Sequence, residues 1–193
     1  MRKFYSIFPA LFILVFTLFA CSTPPVEEMN NAMDAVTRAE NDADTVAFAP
    51  NALVNARNAL TRMQEEADAK RYDAAKNFAA EAISIAERAV TEGKAGAARV
   101  RDEASDLISR LSGTLSETAS AVNAARDAQD IQLDFDSISR DLSLANRTYE
   151  DAMQSYQANK FRNAIAEGQT VRSLLSDINA RISGAAQIVS RKK

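Results

Sequence analysis

Apolar positions along this chain recur with the 3/4 alternation of a helix seam. Val26, Met29, Met33, Val36, Ala39, Ala43 and Val46 fit one helix, and Leu53, Ala56, Leu60, Met63 and Ala67 fit a second. Ala75, Ala79, Ala82, Ala86 and Ala89 open a third, which Val100, Ala104, Leu107, Leu111 and Leu115 continue. Ile138, Leu142, Ala145, Tyr149, Ala152 and Tyr156 mark another. The most regular is the last: Phe161, Ala164, Gly168, Val171, Leu175, Ile178, Ile182, Ala185 and Val189. Seams held over several heptads predict coiled-coil-like packing, within the chain or with a partner. No stretch alternates convincingly with period two, so no sheet is expected.

Breaks are predicted where the backbone resists the helix. Phe48-Ala49-Pro50-Asn51 separates the first two helices, because a residue before proline avoids the helical region. Ala69-Lys70-Arg71-Tyr72 reads as a tight turn, matched later by Ala158-Asn159-Lys160-Phe161. Gly93 and Gly96 are places where the third helix can kink. Ser112-Gly113-Thr114 is another place for it to end, since Thr114 and Glu117 have capping-box spacing. Both readings of that stretch, broken or continuous, stay open.

The two turns suggest a duplication. A shift of 89 residues puts Ala32 on Ala121, Ala35 on Ala124, Ala39 on Ala128, Leu53 on Leu142 and Ala56 on Ala145. It continues with Ala69 on Ala158, Arg71-Tyr72 on Lys160-Phe161 and Ala75 on Ala164. The fold class that follows is all-α, an antiparallel helical bundle or coiled-coil-like array of two tandem three-helix units, 26–110 and 111–193. The alternative is one irregular bundle with fortuitous register. Small seam residues let helix axes approach closely. Phe48, Tyr72, Phe78, Phe135, Tyr149, Tyr156 and Phe161 are then expected to fill selected layers.

Composition sharpens this picture. The 193 residues include 37 alanines but only five glycines and four prolines, as an almost wholly helical chain requires. There is no histidine and one cysteine, which excludes histidine-dependent acid–base chemistry, Cys/His zinc sites and an internal disulfide. Formal charge is −3. No basic stripe is present, so nucleic acid is not an expected partner.

The first twenty residues differ from the rest. Arg2 and Lys3 precede an apolar run from Phe4 to Ala20, which ends in Leu18-Phe19-Ala20 before Cys21. That order reads as an export signal. It resembles the lipobox of bacterial lipoproteins, with Phe19 bulkier than the usual residue there. The resemblance implies a signal peptide at 1–20 recognised through Leu18, Phe19 and Ala20, and a tether at 21–25. Cys21 would carry diacylglycerol and a fatty acid such as palmitate. Ser22 in the next position implies the outer membrane, with the body facing the periplasm. An uncleaved anchor is the alternative, at the short limit of a membrane span. Cleavage before Cys21 removes two cations and leaves a formal charge of −5.

Ala49-Pro50, Leu53, Ala56, Leu60, Arg71-Tyr72, Ala75, Ala79, Ala82, Ala86 and Ala89 also resemble a family of uncharacterised bacterial envelope lipoproteins. Its members carry an alanine-rich helical domain of unknown function, sometimes beside an OmpA-like peptidoglycan-binding domain. The likeness covers roughly 26–92. This chain has Ala69-Lys70 where a glycine is expected, and its second copy has Ile138-Ser139 in place of the Ala-Pro pair. The family implies an α-helical envelope protein and brings no catalytic residues.

Candidate chemistry is sparse. Asp127, Asp130, Asp134, Asp136 and Asp141 crowd one interhelix region, but the EF-hand pattern is absent and acids are favoured at helix N-termini anyway. Glu65-Glu66 with Lys70-Arg71 reads as an i,i+4 surface network. No phosphate loop exists and no histidine can activate a serine, so neither catalytic nor metal residues are assigned and no cofactor beyond the lipid is expected. Arg191-Lys192-Lys193 closes the chain, where cations complement a helix dipole. That ending also resembles the major murein lipoprotein, whose terminal lysine is joined to peptidoglycan, which makes Arg191, Lys192 and Lys193 candidate peptidoglycan contacts. The expected function is a non-enzymatic, lipid-anchored structural or interaction module, bound to the membrane through its lipid and to an unidentified envelope protein or peptidoglycan. Self-association is compatible with the seams. A peptidoglycan tether and a helical carrier of an apolar ligand are the alternatives.

Overall fold

The computed structural model describes residues 23–128 and 130–191, and no strand occurs among them. The helices are α1 (Val26–Asn41), α2 (Ala43–Phe48), α3 (Pro50–Asp68), α4 (Tyr72–Asp127), α5 (Phe135–Gln157) and α6 (Phe161–Arg191). The all-α expectation holds.

Each boundary has a local cause. The first helix stops short of Val46 because Asp42 leaves the helical region and caps α2. Its carboxylate accepts from the Thr45 N–H at 2.7 Å and the Thr45 hydroxyl at 2.7 Å. Pro50 stands at the first position of α3, where a missing N–H costs nothing. Asp134 caps α5 by accepting from the Ser137 N–H at 2.9 Å. Of the two readings left open at the glycines, the continuous one holds. α4 runs 56 residues through Gly93, Gly96 and Gly113, and the Thr114 hydroxyl donates to the Arg110 carbonyl instead of capping a new helix.

The two expected turns are present and share one geometry. Lys70 has φ 58° and Asn159 has φ 59°. Arg71 N–H donates to the Glu66 carbonyl and Lys70 N–H to that of Ala67, and Lys160 and Asn159 repeat both bonds onto Ser155 and Tyr156. These are Schellman ends, normally built around glycine.

The chain forms two compact units, and the division falls between Lys94 and Ala95, inside α4. This differs from the boundary between 110 and 111 that the duplication suggests. In unit 1, α1, α3 and the start of α4 enclose a core in which eleven of fourteen residues are alanine, with Val36, Leu53 and Met63 as the larger members. In unit 2, the rest of α4 packs with α5 and α6 through Ile108, Leu111, Leu115, Val122, Ile138, Val171, Leu175 and Ile178. Ala82, Ala86 and Ala89 of one unit thus correspond to Val171, Leu175 and Ile178 of the other. Full burial of each of those branched side chains contributes roughly 1.5–3 kcal/mol, which alanine cannot match.

The aromatic side chains do not fill central layers. Phe48, Tyr72, Phe78, Phe135, Tyr149, Tyr156 and Phe161 are all half-buried, and the largest fully buried side chains are Met63, Ile138, Leu175 and Ile178. In unit 1 the alanine seam leaves no room for a ring at the axis, and in unit 2 branched side chains such as Ile138, Leu175 and Ile178 already occupy it. Rings sit at the rims instead: Phe78 under the Arg62 guanidinium at 5.7 Å, Phe135 under that of Arg126 at 5.6 Å, and Tyr156 edge-on to Phe161 at 5.4 Å.

The 89-residue register holds only for the second and third helix of each unit. In unit 1, Glu28 pairs with Lys76 and Thr45 lies on Gly93, a separation of 48 in both cases. In unit 2, Gly168 lies on Leu107 and Asn179 on Thr118, a separation of 61 in both. The first helices therefore correspond at a shift thirteen residues shorter, which puts buried Ala32, Ala35 and Ala39 on buried Ile108, Leu111 and Leu115. Ala124 and Ala128, the partners assigned by the gapless shift, are exposed. An alanine helix fits several registers, so alanine matches do not fix one.

Candidate functional site

Leu18, Phe19, Ala20 and Cys21, together with Lys192 and Lys193, lie outside the described residues. Among the described residues, no helix is long and apolar enough to cross a membrane. Arg191 is the exposed last residue of α6. Ahead of it the α6 seam loses its cover: Ile178 is buried, Ile182, Ala185 and Val189 are half-buried, and Ile188 is 57% exposed.

At its other end the chain enters unit 1 through a compact pole. Pro25 is buried, and its carbonyl accepts from the Met29 N–H at 3.0 Å, starting α1 within five residues of Cys21. Val26, in the first turn, is 58% exposed. The Glu28 carboxylate meets the Lys76 ammonium at 3.0 Å, which sets the start of α1 beside the start of α4 and the turn that precedes it. A hydrogen bond from its own backbone N–H, reinforced by Lys76, holds the Glu28 carboxyl below its ordinary range. In the turn, Lys70 is exposed and Tyr72 half-buried, and the Arg71 guanidinium grips Glu66, with Nη2 donating to Oε1 at 2.9 Å. That grip lowers the Glu66 pKa and raises that of Arg71. The pair spans five residues rather than four because the left-handed Lys70 intervenes. Tertiary register alone brings Glu28 to Lys76, so no local spacing announces this pole.

Two of the acids noted around α5 have structural partners. Asp134 is an N-cap, and Asp141 accepts from Arg181 at 2.7 Å beside Asp177 in a shallow hollow of unit 2. No group of three or more metal-ligating side chains gathers among the described residues. A second hollow is lined by Asp151, Gln154, Ser155, Lys160 and Glu167, and Glu167 Oε2 is sealed from solvent without a hydrogen-bond donor. The Tyr156 hydroxyl is more acidic than usual because Ser105 and Arg101 hydrogen-bond to it.

Residues 27–105 match the model of a domain of unknown function, DUF4398. The match takes in α1, α2, α3 and the part of α4 that completes unit 1, and it extends into the first turns of unit 2. No curated protein and no solved structure matches the chain.

Proposed function

We propose that this chain is a non-enzymatic, lipid-anchored protein of the bacterial cell envelope. In this reading Cys21 is acylated and held in the outer membrane, and the helical body faces the periplasm as a structural or interaction module. The observation that carries it is a juxtaposition in the sequence. The one cysteine follows a basic start and an apolar run, and a folded α-helix begins five residues later. A thiol in that place suits acyl transfer, and a diacylglycerol with an added fatty acid anchors stably where one chain binds only marginally. Polar outer faces on both units are the means of contact with an envelope partner.

The test is the intact mass of the protein from its native membrane after muramidase digestion. An acyl increment on Cys21 with loss of residues 1–20 supports the proposal. A muropeptide on Lys193 in addition would make the protein a tether between membrane and peptidoglycan. An unmodified cysteine with residues 1–20 retained overturns it.

A further inference from the structure

We infer that the pole of unit 1 formed by Val26 and the turn Ala69–Tyr72 rests on the bilayer, against zwitterionic headgroups of the phosphatidylethanolamine type. The inference rests on acylation of Cys21. Four residues lie between that cysteine and Val26, and the five steps from one to the other, fully extended, reach about 17 Å. The Glu28–Lys76 pair fixes the turn to the same pole as Val26. The far pole, where Thr45 lies on Gly93, is seventeen residues further along α4, about 25 Å at the helical rise. The tether is shorter than the unit, so the far pole cannot take the near pole's place at the membrane.

The chemistry of the pole selects the lipid. Val26 offers an aliphatic side chain that is 58% exposed, and Tyr72 and Lys70 are amphipathic types suited to an interface. Six carboxylates (Glu27, Glu28, Glu65, Glu66, Asp68, Asp73) stand here against three cations (Lys70, Arg71, Lys76). Lys76 and Arg71 are already paired with Glu28 and Glu66. An anionic surface is repelled by the remainder, whereas the ammonium of phosphatidylethanolamine complements exposed Glu27, Asp68 and Asp73.

The test uses the full acylated chain in vesicles of phosphatidylethanolamine and phosphatidylcholine containing doxyl-labelled lipid. Acylation consumes the Cys21 thiol, so bimane attached to Lys70→Cys, Asp73→Cys or Val46→Cys reports from one place. Quenching at 70 and 73 is expected to exceed that at 46 about threefold or more, as befits an interfacial contact that decays within a few ångströms. Exchange of part of the phosphatidylethanolamine for phosphatidylglycerol is expected to weaken it. Equal quenching at all three sites, stronger quenching at 46, or none at any site in protein that floats with the vesicles overturns the inference. Protein that neither floats nor carries the acyl mass overturns the anchor itself.

Discussion

Gly93 lies so close to Thr45 that a Cβ on the glycine would stand 2.6 Å from the Thr45 Cα and 2.7 Å from its backbone nitrogen. Both are backbone atoms, held by the Asp42 cap, so neither can swing aside. Gly93→Ala is expected to destabilise unit 1 by about 2–3 kcal/mol through overpacking. Gly113 and Gly184 meet nothing within 4 Å, so alanine there is expected to gain about 0.5–1 kcal/mol. Urea denaturation of the three variants gives the comparison.

Lys70 bears a side chain in the left-handed region at φ 58°. That conformation costs a non-glycine residue about 1–2 kcal/mol. Lys70→Gly is expected to raise the unfolding midpoint, and Asn159→Gly to raise it less, since asparagine tolerates the region better. Thermal melts followed by circular dichroism would show the order.

Three carboxyls are held below their ordinary pKa in the folded chain: Glu28 by its own N–H and then Lys76, Asp42 by the Thr45 hydroxyl and then the Thr45 N–H, and Glu66 by Arg71. A lowered folded-state pKa stabilises the fold above the unfolded value, and the benefit is lost as pH falls through the folded value. The urea midpoint is therefore expected to stay level from about pH 7 to 5 and to drop below about pH 4, near the ordinary carboxylate range. Asp42→Asn keeps a capping acceptor without the titration, so its midpoint should fall less steeply with acid.

Thr118 is 1% exposed, and its hydroxyl accepts from Asn179 Nδ2 at 2.9 Å. Thr118→Val preserves the shape but leaves the amide without its acceptor, at an expected cost of about 1–3 kcal/mol. Adding Asn179→Leu removes the stranded donor and should recover most of the loss. A double-mutant cycle in urea measures the coupling.

Much of the architecture can be read in the residues. Pro50 marks a boundary, and the basic–aromatic pairs Arg71-Tyr72 and Lys160-Phe161 mark helix starts, because these signals act within a few residues. Asp42 and Thr45 stand at capping spacing and mark the α2 boundary, but Ala43 and Val46 continue the α1 seam and hide it. Val46 is in fact 52% exposed. Gly93 misleads in the opposite direction. It is a site of close approach between helices, and that reason is tertiary, whereas Gly168 packs closely from the α6 seam as expected. As for the candidate sites, Cys21 could be singled out by position and chemistry, whereas the pole around Val26 required the register of α1 on α4, which alanines leave undetermined.

An uninterrupted α4 also bears on how the two units lose their structure. Helix propagation is favourable residue by residue while a new nucleus is costly, by a factor on the order of a thousand. Residues 72–94 are thus seeded by an already formed 95–127, and the reverse holds when unit 2 is the one that opens. Each unit acts as a primer for its neighbour's renaturation. A single long helix makes refolding after partial damage a matter of extension, with no need to nucleate that helix again.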